Sequence, residues 1–349
     1  MAVPLSPPSV IYTFSFAHHG SYSSFHRLAH YLSDQCVVDL TSRGIDRLPQ
    51  RISEPLMHRW LKYSEYRLGR YLRSTTPRCV HYIYPETSLQ QSWRWKGHHK
   101  LVLTVHQPRE YLEHMRQQDG HEGFFLGLEV ADALVANEPE SLEAYRKYAP
   151  QARLEVIPHG IDTEFFRPAP DCPRRPVILT VGNWLRDYEC WAKVVRALSV
   201  QLPAVEFDVI ANSDTLRQAR AALGTHSSRV HFSTGLSDLE LRAAYARAQL
   251  MFLPLKDSAA NNAILESLAM GLPLVVTDLP ATRCYVGPEA GWFFHNTDID
   301  GCVAILASLA NNPTQRERMA AAGRARAVAE FSWPRIADRY RGLYQSLLE

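Results

Sequence analysis

The sequence predicts an α/β protein built from two doubly wound domains, each a parallel sheet with helices on both faces. Three features point to it. Short apolar, β-branched runs alternate with amphipathic helical stretches from one end to the other. Four prolines within Arg167–Pro176 interrupt that alternation near its middle. The length, 349 residues, suits two domains at about 150 residues each.

In order, the first strand runs are Val10–Phe16, Val37–Leu40, Val80–Tyr84, Leu101–Val105, Ala133–Ala136 and Leu154–Ile157. After the proline-rich break come Val177–Val181, Glu206–Ile210, Val230–Phe232, Leu250–Leu253, Leu274–Thr277 and Gly291–Phe294. Most are near-continuous apolar segments, the form of a strand covered on both faces. Helical periodicity fills the gaps at Ser24–Leu32, Glu140–Tyr148, Glu189–Gln201, Leu239–Ala248 and Asn261–Met270. The break itself can be neither helix nor central strand, so it reads as an extended linker. That places one domain at 1–170 and a second at 171–330. Phe331-Ser-Trp-Pro334 then opens a final helix over 331–349, with proline near its first turn. Two such domains facing each other create a cleft, and ligands in open α/β sheets bind outside the carboxyl ends of the strands.

Composition narrows the classes. Hydrophobic residues at 46% and charged residues at 21% exclude disorder, and each half can bury a core without disulfides or a structural metal. A net charge of +2 gives no global attraction to nucleic acid, so none is expected as a partner. The six cysteines are far apart with no C-x-x-C pair, which argues against a zinc ribbon, a redox motif or a disulfide framework and fits a reduced, cytoplasmic compartment. The N-terminus lacks the basic start of a signal peptide, and no run approaches the ~18 apolar residues of a membrane span.

The most informative stretch runs from Leu255 to Thr277. A strand leads through Lys256-Asp-Ser-Ala-Ala-Asn261 into a helix that ends at Gly271, before Pro273. Asn261 or Asn262 suits the N-cap, leaving first-turn amides to bind phosphate. Glu266, one turn further in, can accept hydrogen bonds from a ribose diol; the plainer alternative is a capped helix with a solvated glutamate. The run Asn262-Ala-Ile-Leu-Glu-Ser-Leu-Ala-Met-Gly-Leu-Pro-Leu-Val-Val-Thr277 resembles the donor-site helix of retaining glycosyltransferases of family 4, which have the GT-B fold. Val156-Ile-Pro-His-Gly-Ile-Asp-Thr-Glu-Phe-Phe-Arg-Pro168, Val177-Ile-Leu-Thr-Val-Gly-Asn183 and Phe331-Ser-Trp333 are similar to further signatures of that family.

The resemblance implies roles. Glu266 would hold the donor ribose, and the amides of Asn262, Ala263 and Ile264 the diphosphate, with Asn261 at the helix start. His106, after the fourth strand, would contact the transferred sugar. The loop His18-His-Gly-Ser-Tyr22, through Gly20 and Ser21, would approach the phosphates. The first domain would bind the acceptor, the second the donor, and the final helix would return towards the first.

Three positions depart from the family. Ser258 stands where a glutamate touches sugar hydroxyls, with Asp257 beside it. Asn183 and Tyr188 stand near the usual diphosphate-binding arginine and lysine, which makes Arg186 the replacement cation, the alternative being a plain surface arginine. Transfer with retention then needs no protein nucleophile and no metal. Asp298-Ile-Asp300 reads as a helix cap, not a metal site. The histidines, including His26 and His30 four apart, lack a metal-ligand pattern.

The expected substrate is therefore a nucleotide-sugar (UDP- or GDP-linked), and the acceptor a carbohydrate or a lipid-linked or phosphate-bearing hydroxyl. The alternatives are a non-catalytic nucleotide-sugar-binding protein and an epimerase or hydrolase of the same fold. Residues 43–109 hold thirteen Lys and Arg against four Asp and Glu, a local field of +9. Within it, residues 59–73 form a basic, aromatic-rich helix and residues 93–100 a second patch. Either they meet an anionic membrane surface, at the inner face of a membrane, or they are a solvated face whose aromatics pack inward.

Overall fold

The computed structural model describes residues 9–13, 21–22, 24–40, 45, 48, 50–73, 76–107, 109–118, 120–224 and 228–349. Two compact units emerge: residues 1–160 with 333–349, and residues 161–332.

In the first unit the strands are β1 (Val10–Thr13), β2 (Cys36–Asp39), β3 (Cys79–Tyr82), β4 (Lys100–Val105), β5 (Ala133–Ala136) and β6 (Arg153–Val156). They form one sheet in the order β2-β1-β3-β4-β5-β6, and every neighbouring pair is parallel. Central strands β1, β3 and β5 are buried throughout, whereas the edge strands β2 and β6 are largely exposed or half-buried. The unit's helices are α1 (Leu28–Tyr31), α2 (Gln50–Leu72), α3 (Pro85–Ser88), α4 (Arg109–Arg116), α5 (Glu122–Val130) and α6 (Pro139–Tyr145).

The second unit carries β7 (Val177–Val181), β8 (Glu206–Ile210), β9 (Val230–Ser233), β10 (Leu250–Leu253), β11 (Leu274–Thr277) and β12 (Gly291–Phe294). Their order, β12-β11-β10-β7-β8-β9, is also wholly parallel. The order reverses between β7 and β10, the crevice where such sheets take ligands. Helices α7 (Tyr188–Gln201), α8 (Ser213–Leu223), α9 (Asp238–Arg247), α10 (Asn262–Ala269), α11 (Pro280–Ala290), α12 (Ile299–Asn311) and α13 (Pro313–Glu330) connect them. Side-chain caps start most of these: Asp187 on Cys190, Asn212 on Thr215, the Ser237–Glu240 capping box, and Asp298 on Gly301. Asp298 thus caps a helix, as its spacing suggested.

The proline-rich stretch 167–176 lies inside the second unit. Arg174 explains why: its guanidinium donates to the carbonyls of Ala248 (2.6 Å), Met270 (3.0 Å) and Gly271 (2.8 Å), ending α9 and α10. Arg324 closes the same end of α10 through Ala269, and also holds the carbonyls of Thr163 and Phe166.

The final helix, α14 (Trp333–Leu348), belongs to the first unit. Its Trp333, Ile336, Tyr340 and Tyr344 are buried in that unit's core. A Cβ on Gly160 would collide with the Trp333 ring. Beneath the helix, His81 bonds Tyr344 (2.7 Å) and Thr104 (2.7 Å), and Thr104 bonds Tyr340 (2.8 Å). Burial pushes His81 down to about 3, so this network is held by a neutral ring.

Candidate functional site

The carboxyl ends of β7 and β10 place Gly182–Asp187 against Pro254–Lys256. Two backbone bonds join the loops, Asp187 N–H to Pro254 O (3.0 Å) and Lys256 N–H to Leu185 O (2.9 Å), beside a bridge between Arg186 and Leu255. Leu185 takes a φ of +59°, a left-handed conformation that a leucine adopts only at a cost of ~1–2 kcal/mol. That turn sends the Arg186 side chain back over the loop. Its guanidinium donates to Val181 O (2.9 Å), Trp184 O (2.8 Å) and Asn261 Oδ1 (3.4 Å).

Gly182 makes room for it. Its φ of +112° disfavours other residues, and a Cβ there would collide with the guanidinium. Asn261 is the N-cap of α10 and also accepts from Ala263 N–H (3.1 Å). A cation is thereby held at the positive end of a helix. The pairing is electrostatically unfavourable by itself and suited to an anion. Burial lowers the Arg186 pKa, and Tyr188, Tyr245 and Glu266 oppose that shift.

Glu266 lies one turn into α10 and is buried, its Oε2 accepting from the Tyr245 hydroxyl at 2.7 Å. Burial, then the Glu266 charge, holds the Tyr245 phenol well above its usual range. Tyr188 donates to Gly182 O (3.0 Å), and burial pushes it up to about 12. A polar chain fixes the loop after β10: Asn296 donates to Asp187 and Leu255 O (both 2.8 Å), and Thr277 joins Leu255 N–H to Asn296.

The other expected residues divide. Asn262, Ala263 and Ile264 form the first turn of α10. Ser258 is buried and donates to Ala259 O (3.0 Å), while half-buried Asp257 accepts from Ser258 N–H (2.7 Å). Asn183 points elsewhere: its Oδ1 accepts from Asn212 N–H at 2.6 Å, bracing the start of α8. Tyr245 and Asn296 escaped the sequence reading, since they lie outside its motifs on two separate elements, and Thr277 closed the quoted run without being given a role.

In the first unit, His106 follows β4. Its Nε2 lies 2.5 Å from Ile83 O, which can only accept, so Nε2 carries the proton and Nδ1 accepts from Asn137 (3.3 Å). Phe25 and Tyr84 pack on the ring, and burial pushes it down to about 4, so it is neutral at neutral pH. Ser21 is exposed; Gly20 lies outside the described residues. Lys96 and Lys100 of the second basic patch both pair with Asp132, at 3.1 and 3.6 Å. Among the described residues no group of three His, Cys, Asp or Glu is placed to hold a metal ion, and no helix is long and apolar enough to cross a membrane.

Two all-parallel, doubly wound units with an anion-suited helix start at the second unit's switch point define the GT-B class. Residues 20–165 match the family described as Glycosyltransferase Family 4, and residues 175–312 match Glycosyl transferases group 1. The chain belongs to glycosyltransferase family 4. It is 30% identical over 203 residues to the MMP alpha-(1->4)-mannosyltransferase of Mycolicibacterium hassiacum, covering 56% of this chain and 49% of that protein. To the GDP-mannose-dependent alpha-(1-6)-phosphatidylinositol monomannoside mannosyltransferase of Mycolicibacterium smegmatis it is 24% identical, covering 53% and 54%. The matches thus span about half the length of these curated relatives. Among solved structures, sucrose-phosphate synthase from Thermosynechococcus elongatus superposes with a TM-score of 0.75 at 18% identity, covering 98% of this chain and 99% of that one.

Proposed function

We propose that this protein is a retaining glycosyltransferase that moves a sugar from a nucleotide-diphosphate donor to a hydroxyl acceptor. The observation that supports this most is Arg186 held at the start of α10, a cation and a helix terminus converging on one point. In this proposal the α10 amides and Arg186 take the diphosphate. Glu266, oriented by Tyr245, takes the ribose diol, and Asp257 stands in for the family glutamate absent at Ser258. As the bond from the anomeric carbon to the phosphate oxygen breaks, charge builds on the leaving diphosphate, where Arg186 stabilises it. The acceptor oxygen bonds the anomeric carbon on the same face and passes its proton to the leaving phosphate oxygen. No metal is needed, because Arg186 and the helix supply the positive charge. The Mycolicibacterium smegmatis relative's name, with GDP-mannose as donor and a phosphatidylinositol monomannoside as acceptor, supports a GDP-sugar over a UDP-sugar and a lipid-linked or phosphate-bearing acceptor.

The test is a thermal-shift panel of UDP, GDP, ADP and CMP on the wild type, Glu266→Ala and Arg186→Met. A nucleotide at about 100 times its Kd stabilises by ~2.7 kcal/mol, several degrees in Tm. A shift with one diphosphate that is lost in both variants supports the donor site and names the base. No shift with any nucleotide sinks it, and loss of turnover in EDTA sinks the metal-free mechanism.

A further inference from the structure

Helix α2 is amphipathic in an unusual sense, because its outward face is not simply polar. Leu61, Leu68 and Leu72 line its buried seam. Opposite that seam, within about 60° on a 3.6-residue helix, Leu56, Tyr63 and Tyr66 alternate with Arg59, Arg67 and Arg70, all exposed. Among the described residues, six of the fifteen exposed large hydrophobics lie on this one helix and four of them, Ile52, Leu56, Tyr63 and Tyr66, on this face, Tyr63 and Tyr66 being 53% and 59% exposed. Scattered singly such residues need no explanation; gathered on one face they mark an interaction surface.

The helix's acids do not neutralise that face. Glu65 is buried and accepts from Tyr82 (2.9 Å), Gln90 N–H (2.9 Å) and Gln91 N–H. Glu54 falls on the seam side of the helix. Tyr63, Tyr66, Arg67 and Arg70 line a shallow surface cavity of about 240 Å³, room for a phosphate group flanked by two guanidinium and two phenol groups.

We infer that the outward face of α2 seats on an anionic membrane surface, its arginines on lipid phosphates and its tyrosines and Leu56 at the acyl boundary. The charge complements such a surface, and the aliphatic side chains of Ile52 and Leu56 beside the arginines favour lipid over nucleic acid. In the basic patch at 93–100, Lys96 and Lys100 share one carboxylate, Asp132.

The experiment is co-sedimentation of the full chain with vesicles of phosphatidylcholine alone or with phosphatidylglycerol added, without nucleotide, across a salt series. Binding should require phosphatidylglycerol and weaken as salt rises. Arg67→Gln with Arg70→Gln should lower the partition coefficient by about 30-fold, at the value of two surface basic residues. Tyr63→Ser with Tyr66→Ser should weaken binding in a way that salt does not restore. Both pairs are exposed, so unchanged melting temperatures confirm folded variants. Equal partition onto the two vesicle types, or variants that bind like the wild type, would overturn the inference. So would variants that alter binding only to soluble glycerol phosphate or to an oligonucleotide.

Discussion

Gly182→Ala tests whether the space over the loop after β7 exists for Arg186. Alanine at a φ of +112° costs about 2 kcal/mol in backbone strain. Its Cβ would also displace the guanidinium from Val181 O, Trp184 O and Asn261, which we put at a further ~2 kcal/mol once water replaces part of the loss. A total of ~4 kcal/mol lowers Tm by roughly 10 °C for a unit of this size. Differential scanning fluorimetry of a double-mutant cycle separates the two contributions. In the Arg186→Met background, the flexible methionine moves aside and Gly182→Ala should cost only the strain, a coupling of ~2 kcal/mol. Penalties that add to within ~0.5 kcal/mol would refute the account, because Arg186 would then not depend on the missing side chain.

Further outcomes are expected. Arg174→Met leaves four carbonyls at the ends of α9 and α10, those of Tyr245, Ala248, Met270 and Gly271, without this donor and should destabilise the second unit by ~3 kcal/mol or more, read by urea denaturation. Gly160→Ala should cost ~1–3 kcal/mol through overpacking against Trp333, and its near-ultraviolet circular dichroism should change with it. His81 and His106 have pKa values lowered to about 3 and about 4. The fold therefore binds fewer protons than the unfolded chain below pH 6.5, and these groups remove stability as pH falls from 6.5 towards 4; His106→Gln should flatten that part of a Tm–pH profile. Glu65 and Glu86, raised to about 7, act with the opposite sign and remove stability as pH rises from 4.5 to 7. With His106 on the transferred sugar, as the family resemblance implies, His106→Ala should lower kcat and leave the thermal shift with nucleotide unchanged.

What was legible followed from burial. Ala133–Ala136, Val177–Val181, Glu206–Ile210, Leu250–Leu253 and Leu274–Thr277 are strands with the bounds their apolar runs suggest, since parallel strands covered on both faces leave little ambiguity, and the edge strand Gly291–Phe294 matches its run as well. The α10 cap was equally readable, because Asn261 acts within its own turn. Less legible was anything set by distant partners. Helix α2 begins at Gln50 and takes in Pro55, ahead of the basic, aromatic-rich stretch 59–73 that reads as the helix. The stretch 167–176 looks like a linker until Arg174 is seen gripping carbonyls some seventy to a hundred residues away. The sequence singled out Glu266 but not Tyr245, whose hydroxyl reaches it from another helix.

The route of the chain has a consequence for synthesis. The second unit is an insertion within the first: the chain leaves at Gly160 and returns at Trp333, and Ile161 N–H bonds Phe331 O at 2.8 Å where the two passages run side by side. On a ribosome, residues 1–160 emerge first, yet the side chains that fill their core, from Trp333 to Tyr344, emerge last. The inserted unit's last strand ends at Phe294, well ahead of Trp333, so its sheet can form while its host still waits for α14. The earlier segment of the message thus encodes the part that matures later.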